Sequence, residues 1–517
     1  MTGRALVVLS AFMLAPAVAR SDAASPEPAP QGSAPAGTAT PQVPPKVAER
    51  TDFLLTLTTL DALHKKGVMS DEEYAAALRD MITVGQRAAT SPTFVIGRFV
   101  TTIYGYLEGD VIHDSQRAVL DSYGGHPTLN LPGTVPGDNG RTTFSSRGTR
   151  LGLRFSAPEV AGVRARGNFE MDFVGNSPFN PSLRPPNGTE SAFFTNPTPR
   201  IRHALMQVES DIVTFWIGQT WNVMAFEAAY LPTSVQPQGL PGQLFGRNPQ
   251  VRLSRIFDAK VFSVEIAAAA VRPPQMDSEL PDFQGGLKLN INGWTGVQSI
   301  GSTSTTISPA SVAVTGAIRK LKLATAAAVN GVSSGANTNS TASVTGSAIA
   351  VDAFVPVIPA KERGGLAISL LGEATTGSGY SDLFAGLTGG VAIGQPTGIT
   401  AANYAVFQDI DPGMAGWDRN GILRTVNWRT LLLDAQISYG KVVLAGNYSN
   451  VYSDNIDLFN AGATGSWFHQ TWWDANLIVD PWPGVRFGIE YARTLQRKVG
   501  GALANNSRVF FAGFFLF

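Results

Sequence analysis

Val509-Phe510-Phe511-Ala512-Gly513-Phe514-Phe515-Leu516-Phe517 is the stretch whose phase decides the fold. In an extended strand successive side chains point to opposite faces. Val509, Phe511, Gly513, Phe515 and Phe517 therefore share one face, and the last of them is an aromatic residue carrying the chain's final carboxylate. Working back from it, Val485, Phe487, Ile489 and Tyr491 repeat the pattern after a tight turn at Pro481-Trp482-Pro483-Gly484. Before that turn, Trp473, Ala475, Leu477 and Val479 alternate with Asp474, Asn476, Ile478 and Asp480. Leu431, Leu433, Ala435 and Ile437 alternate with Leu432, Asp434, Gln436 and Ser438, and Phe283, Gly285, Leu287, Leu289 and Ile291 with Gln284, Gly286, Lys288, Asn290 and Asn292.

The clearest hairpin spans Thr149 to Val174. Leu151, Leu153 and Phe155 oppose Arg150, Gly152 and Arg154; beyond the turn at residues 157–162, Ala165, Gly167, Phe169 and Met171 oppose Arg164, Arg166, Glu170 and Asp172. One such hairpin suits a soluble sandwich. The same period persisting from about Phe94 to Phe517, with short turns alternating with long polar loops, is the pattern of a transmembrane barrel. The fold class expected is all-β: a transmembrane antiparallel β-barrel of sixteen strands, with eighteen as the rival count, preceded by a short periplasmic helical segment. Sixteen strands leave roughly 26 residues for each strand with its loop, against the roughly 9–11 that span a bilayer. Such a barrel encloses an aqueous channel. The aromatic final strand resembles the C-terminal signature read by the outer-membrane assembly machinery, which makes Phe517 the expected assembly signal and that machinery and outer-membrane lipid expected partners.

Composition agrees. Charged residues are 15% of the 517, well below the roughly 25% of soluble domains, and there are 54 glycines. With 39 basic and 39 acidic residues the net charge is zero, so nucleic acid is not an expected partner. Absence of cysteine excludes disulfides, thiolate metal sites and thiol nucleophiles. No metal or cofactor is expected.

The N-terminus predicts export. Arg4 is a short basic region, residues 5–15 an apolar one, and Ala17-Val18-Ala19 a cleavage pattern, so residues 1–19 form the expected signal peptide. Residues 20–48 read as a Pro/Ala-rich linker. A helical segment follows at 49–90, with Phe53, Leu57, Leu60 and His64 on one stripe, Gly67 as a stop, and Ser70 with Glu73 as a capping box. Leu60 to Ile82 resembles the short helix–turn–helix module called SHOCT, which implies oligomerisation. A helical pair packing on itself and a cell-wall tether are the other readings. The barrel is assigned to 94–517, and the expected location is the bacterial outer membrane with the N-terminal segment periplasmic.

On the barrel's polar face arginines stand out. Arg150 and Arg154 share a strand, Arg164 and Arg166 its partner, and Arg147 sits at the loop-side edge. Arg200, Arg202, Arg247, Arg252 and Arg255 follow. A guanidinium keeps its charge and presents a planar fork to carboxylates and phosphates, so this wall favours anions. The competing reading is a mixed-charge wall, since Glu108, Asp110, Glu170 and Asp172 share the face. Phase is ambiguous at Arg200 to Glu209; Arg202 is placed near the mouth and His203 in the lumen. Asn222 to Gln250 is a long loop, read either as folding inward to narrow the pore or as surface-exposed. Ala374 to Asn427 is read as a lid or as hiding short strands.

Ser146-Arg147-Gly148-Thr149-Arg150-Leu151-Gly152-Leu153 resembles the Ser-Arg-x-Ser-Arg-Leu-Gly-Phe strand of DcaP-like outer-membrane porins, with Thr149 and Leu153 as conservative departures. Ile201-Arg202-His203-Ala204 and Gly218-Gln219-Thr220-Trp221 resemble two further runs of that family in the same order. The resemblance is strongest from about Tyr104 to Arg255. It implies a homotrimeric sixteen-stranded porin that passes small organic anions such as dicarboxylates, with Arg147, Arg150 and Arg202 lining the pore. Arg154, Arg164, Arg166, Arg252, Glu170 and Asp172 complete the pore-lining set from the alternation. Two other classes compete: a barrel anchoring the membrane to the cell wall through its helical arm, and an outer-membrane enzyme. Only five histidines and no Gly-x-Ser-x-Gly elbow speak against the enzyme, and no catalytic residue is assigned.

Overall fold

The computed structural model describes residues 61–67, 69–71, 73–74, 93–117, 121, 128–175, 194–195, 197–236, 239–275, 278–324, 341–385, 413–418, 422–459 and 466–517. The expected signal peptide and linker lie outside them, as does most of the helical segment.

In chain order the strands are β1 (Thr93–Ile96), β2 (Phe99–Asp114), β3 (Arg141–Ser145), β4 (Arg150–Ser156), β5 (Arg164–Asp172), β6 (Arg200–Glu209) and β7 (Thr214–Trp221). β8 (Arg247–Asp258), β9 (Phe262–Val271), β10 (Asp282–Ile300), β11 (Ser304–Ala324), β12 (Thr341–Ile358) and β13 (Ala367–Ser378) continue the sheet. β14 (Ala415–Trp417) and β15 (Leu423–Thr425) make a separate small hairpin within the long stretch after β13. β16 (Asn427–Tyr439), β17 (Val442–Tyr452), β18 (Trp467–Trp482), β19 (Val485–Lys498) and β20 (Leu503–Leu516) complete the chain.

Every pairing is antiparallel between neighbours, and β20 returns to β2, so the sheet closes. β3 and β4 both lie along β2 and form one interrupted stave. The barrel therefore has sixteen staves, with β1 as an addition. Closure follows from the backbone's need for partners where no water is present. At the seam Gly105 and Phe517 exchange both backbone hydrogen bonds, at 3.0 and 3.1 Å. Beyond Phe517 the same edge of β2 is covered by β1, where Thr93 pairs with Thr102 and Ile96 with Phe99. No free edge is left at the seam.

The alternation sets the two faces. On β20, Val509, Phe511 and Phe515 are exposed outward, while Arg508, Phe510, Ala512 and Phe514 are buried inward. Outward aromatic residues mark two girdles: Trp482 and Tyr439 near the short turns, and Tyr448, Trp473 and Tyr491 toward the loops. Trp473 and Trp482 are nine residues apart on β18. At about 3.3 Å per residue that is ~30 Å along the strand, and a tilt of about 40° reduces it to ~23 Å, close to the ~25 Å apolar band of such barrels.

In the helical segment, Asp61 to Lys65 is helical and Gly67 turns the chain at φ +69°. The capping box is formed: Ser70 N donates to Glu73 Oε2 at 2.9 Å and Glu73 N to Ser70 Oγ at 3.2 Å. These bonds hold the Glu73 carboxyl below its usual range. The His64 ring stacks on Tyr74 at 4.4 Å, and Tyr74 Oη donates to Asp61 at 2.7 Å.

Candidate functional site

Of the two readings of the loop after β7, the inward one holds: from Asn222 to Gly246 most described residues are buried inside the barrel. The strand β8 begins at Arg247, so the loop is shorter than the sequence implied. A buried N–H without a partner costs about 1–3 kcal/mol, and the inner wall supplies the acceptors. Met224 N donates to Gln284 Oε1 at 3.0 Å and Ala225 N to Thr315 Oγ1 at 2.8 Å, on β10 and β11. Leu244 N donates to Glu373 Oε1 at 2.8 Å on β13, and Thr233 N to Asp434 Oδ2 at 2.6 Å on β16. Val235 N donates to Asn476 Oδ1 at 3.0 Å on β18, and Gln236 N to Glu490 Oε2 at 3.1 Å on β19. From β20, Arg508 Nη1 donates to Gln236 Oε1 at 3.0 Å.

Apolar side chains complete the seat. Phe226 lies over Gly286, where a Cβ would sit 2.7 Å from its ring, and Val235 lies over Gly488 at the same spacing. Val223, Phe226, Tyr230 and Leu240 pack in one cluster with Ala267, Ala313, Phe354, Leu432 and Trp472 of the wall. Burying each large side chain is worth roughly 1.5–3 kcal/mol. Within the loop, Glu227 accepts from Gly246 N at 2.9 Å; burial pushes its carboxyl well above the usual range.

The opposite wall, from β4 to β8, carries the arginines. Its organisation depends on a β-bulge that sequence phase could not reveal. On β5, Glu170 pairs with His203 and Met171 with Ile201, so Arg202 is the extra residue. The bulge turns Arg202 and His203 inward together, and both are buried. His203 thus faces the lumen, and Arg202, at the loop-side start of β6, shares that inner face. Arg202 Nε donates to Glu170 Oε1 at 2.6 Å and Nη1 to Asp172 Oδ2 at 3.0 Å. Arg200 holds Asp172 at 2.7 Å, and Arg150 stands 3.4 Å from Glu170. Tyr104 Oη donates to Glu170 at 2.8 Å; Gly152 makes room for that ring. Glu108 and Asp110 of β2 are buried on the same inner face.

Arg247, at the root of the loop, is different. Its guanidinium lies 4.6 Å from the Trp221 ring and 5.1 Å from the Phe245 ring. Among the described residues no carboxylate pairs with it, and Nη1 has no hydrogen-bond partner. It lies within electrostatic reach of Arg202, Arg200 and Asp172.

The remaining expected pore residues separate into groups. Arg147 is buried at the loop-side edge, 2.7 Å from Asp121 of the first long loop. Arg154 lies over the Tyr104 ring at 3.9 Å. Arg164 and Arg166 sit at the short-turn mouth, exposed and paired with Glu159 and Glu209. Arg252 forms a second inner group with Glu265 at 3.0 Å and Trp216, and Lys288 joins it through Glu265 at 2.9 Å. Phe517 sits at the seam already described. The sequence reading did not single out the loop anchors Glu373, Asp434 and Glu490. Their signal is present as acidic residues in the inward phase of apolar strands, as at Asp434.

A closed sixteen-stave transmembrane barrel with its third long loop laid inside the lumen is a porin-type barrel. No family model matches the chain, and no curated protein is similar to it in sequence. Among solved structures, the outer membrane channel DcaP of Acinetobacter baumannii overlaps it with a TM-score of 0.56 at 15% identity, over 81% of this chain and 97% of that one. The chain thus has a DcaP-like porin fold, as the Ser146 to Leu153 strand led one to expect. Looser likenesses, which carry no argument, are Salmonella typhi OmpF in complex with daunomycin (TM-score 0.45, 9% identity, 82% and 100% covered) and an anion-selective porin from Comamonas acidovorans (0.44, 10%, 81% and 100%).

Proposed function

We propose that this chain is an outer-membrane porin giving passive diffusion to small organic anions, dicarboxylates among them. The observation that carries the reading is the division of charge around the inner wall. Glu373, Asp434 and Glu490 spend oxygens on the inward loop's own amides and lie behind it. Across the lumen, Arg247 keeps a guanidinium without a carboxylate, beside Arg202, Arg200 and Arg150. Four guanidiniums (Arg150, Arg200, Arg202 and Arg247) stand there against the two carboxylates Glu170 and Asp172, and an excess of positive charge raises the local concentration of a passing anion. Two carboxylates on one solute suit a wall with several guanidiniums; the family resemblance points to the same class.

In this reading the short turns and the N-terminal segment face the periplasm, and the long loops face outward. Residues 1–19 direct export, 20–48 link, 49–90 assemble a homotrimer through the helical pair, and 94–517 form the channel. The test is ion current through purified protein with a small dicarboxylate added on the loop side. Transient block that weakens in Arg247→Gln is the expected result. Current indifferent to the dicarboxylate would remove the substrate class from the proposal.

A further inference from the structure

We propose that Arg493 and Arg497, on the outer surface of β19, bind the phosphate of an anionic lipid in the leaflet on the loop side. Both belong to the outward phase of β19, with Phe487, Ile489 and Tyr491. Tyr491 belongs to the loop-side aromatic girdle and lies 5.4 Å from Trp473. Arg493 is two residues beyond it and Arg497 six. That is ~7 and ~20 Å along a strand, or roughly 5 and 15 Å above the girdle once the tilt is counted. This is headgroup depth, directly over the hydrocarbon.

The surroundings are polar, in contrast to the apolar outward residues Phe487, Ile489 and Tyr491 lower on the same strand. Arg493 Nη1 donates to Ser507 Oγ at 2.9 Å, and Arg493 pairs across the sheet with Ser507 and with Trp473. Arg497 pairs with His469, whose Nε2 is 2.9 Å from Asn450 Nδ2. These neighbours are neutral acceptors and donors: they orient the guanidinium of Arg493 without cancelling its charge. Arg497 has no hydrogen-bond or ion-pair partner among the described residues.

Arg272, exposed just beyond β9, is a single guanidinium whose Nη1 donates to the neighbouring Pro273 O at 3.5 Å, and other outward cations on the loop side are paired with acids. Lys320 and Lys322 share Glu279, and Arg429 pairs with Asp454 at 2.8 Å. What distinguishes β19 is two guanidiniums without carboxylate partners among the described residues, four residues apart on one outward face. A guanidinium binds phosphate through two parallel N–H bonds, and a lipid beside this wall presents its phosphate at that height. Its acyl chains would lie along the apolar residues below. A free phosphate in water would gain no such second contact, which is why the site is assigned to a lipid.

The test uses the full-length protein in detergent, folded as judged by heat-modifiable gel mobility, with native mass spectrometry as readout. The probes are a bis-phosphorylated disaccharide glycolipid, its dephosphorylated form, and phosphatidylglycerol. Wild type should retain the phosphorylated glycolipid and phosphatidylglycerol and release the dephosphorylated form. Arg493→Gln with Arg497→Gln should weaken retention about tenfold or more, as expected for lost charge-assisted bonds. Lys320→Gln with Lys322→Gln should leave it unchanged, and Arg493→Lys with Arg497→Lys should hold it within a few-fold. Channel conductance should be unaltered throughout, which separates this site from the lumen. Retention equal in wild type and the Gln pair, or indifferent to the phosphate, overturns the proposal. So does loss of whole subunits in the Gln pair with lipid retention intact, which would make this face a contact between copies.

Discussion

Replacing Arg247 by glutamine removes one uncompensated charge from the wall facing the inward loop and leaves the paired arginines in place. An anion passing ~7 Å from that guanidinium gains about 0.6 kcal/mol from it in water, and a cation loses the same. Screening keeps about half of this at 0.1 M salt, where the Debye length is ~10 Å, and about four-fifths at 0.01 M, where it is ~30 Å. Because the two ions respond in opposite directions, the effect on their permeability ratio is doubled. Arg247→Gln should lower the anion-to-cation ratio about threefold at 0.1 M and about fivefold at 0.01 M. Reversal potentials in planar bilayers under a KCl gradient measure the ratio directly. Arg429→Gln, on the outer face and paired with Asp454, is the control and should leave it unchanged. A ratio that does not move in Arg247→Gln, or moves without growing as salt is lowered, would refute the reasoning.

Three further outcomes follow from named contacts. Asp434→Ala with Glu490→Ala deprives Thr233 N of its acceptor and removes the carboxylate shared by Ser234 Oγ and Gln236 N; at about 1–3 kcal/mol for each stranded donor the loop should detach, and single-channel recording should show larger, noisier conductance. Gly105→Val places a Cβ at φ +153° and 2.2 Å from the Arg150 carbonyl oxygen, beside the Phe517 seam; folded, heat-modifiable barrel should be lost, whereas Gly109→Val, which meets nothing within 4 Å, should fold. Ser70→Ala removes the hydroxyl that binds Glu73, so the Glu73 carboxyl should titrate nearer its ordinary range. Because its folded value is depressed, its contribution to the helical turn is present above the unfolded value and lost as pH falls through the folded one. NMR titration with Glu73 labelled checks this, and an unchanged midpoint would count against the capping box.

The barrel was legible because its signal is local. Each residue of β20 or β5 declares its face from its neighbours two positions away, and the hydrocarbon enforces the phase along the whole strand. The bulge at Arg202 was not legible, since both phases of Arg200 to Glu209 were acceptable locally and only the pairing with Glu170 and Met171 decides between them. Nor was the seat of the inward loop. Thr233 finds Asp434 and Gln236 finds Glu490 across more than two hundred residues, and no spacing rule links such pairs. Gly286 and Gly488 stand on inward phases where the loop's Phe226 and Val235 lodge; in the sequence they read only as small residues in strands. The arginine wall was visible as composition. Which members are compensated, with Arg147 taken by Asp121 and Arg247 left over, required the fold.

The most direct test of the account is the reversal potential of the purified wild-type protein in a planar bilayer under a KCl gradient. Discrete conductance steps with a potential of the sign given by chloride preference are what the arginine wall predicts. A potential set by potassium, or a folded barrel that never conducts, would contradict it.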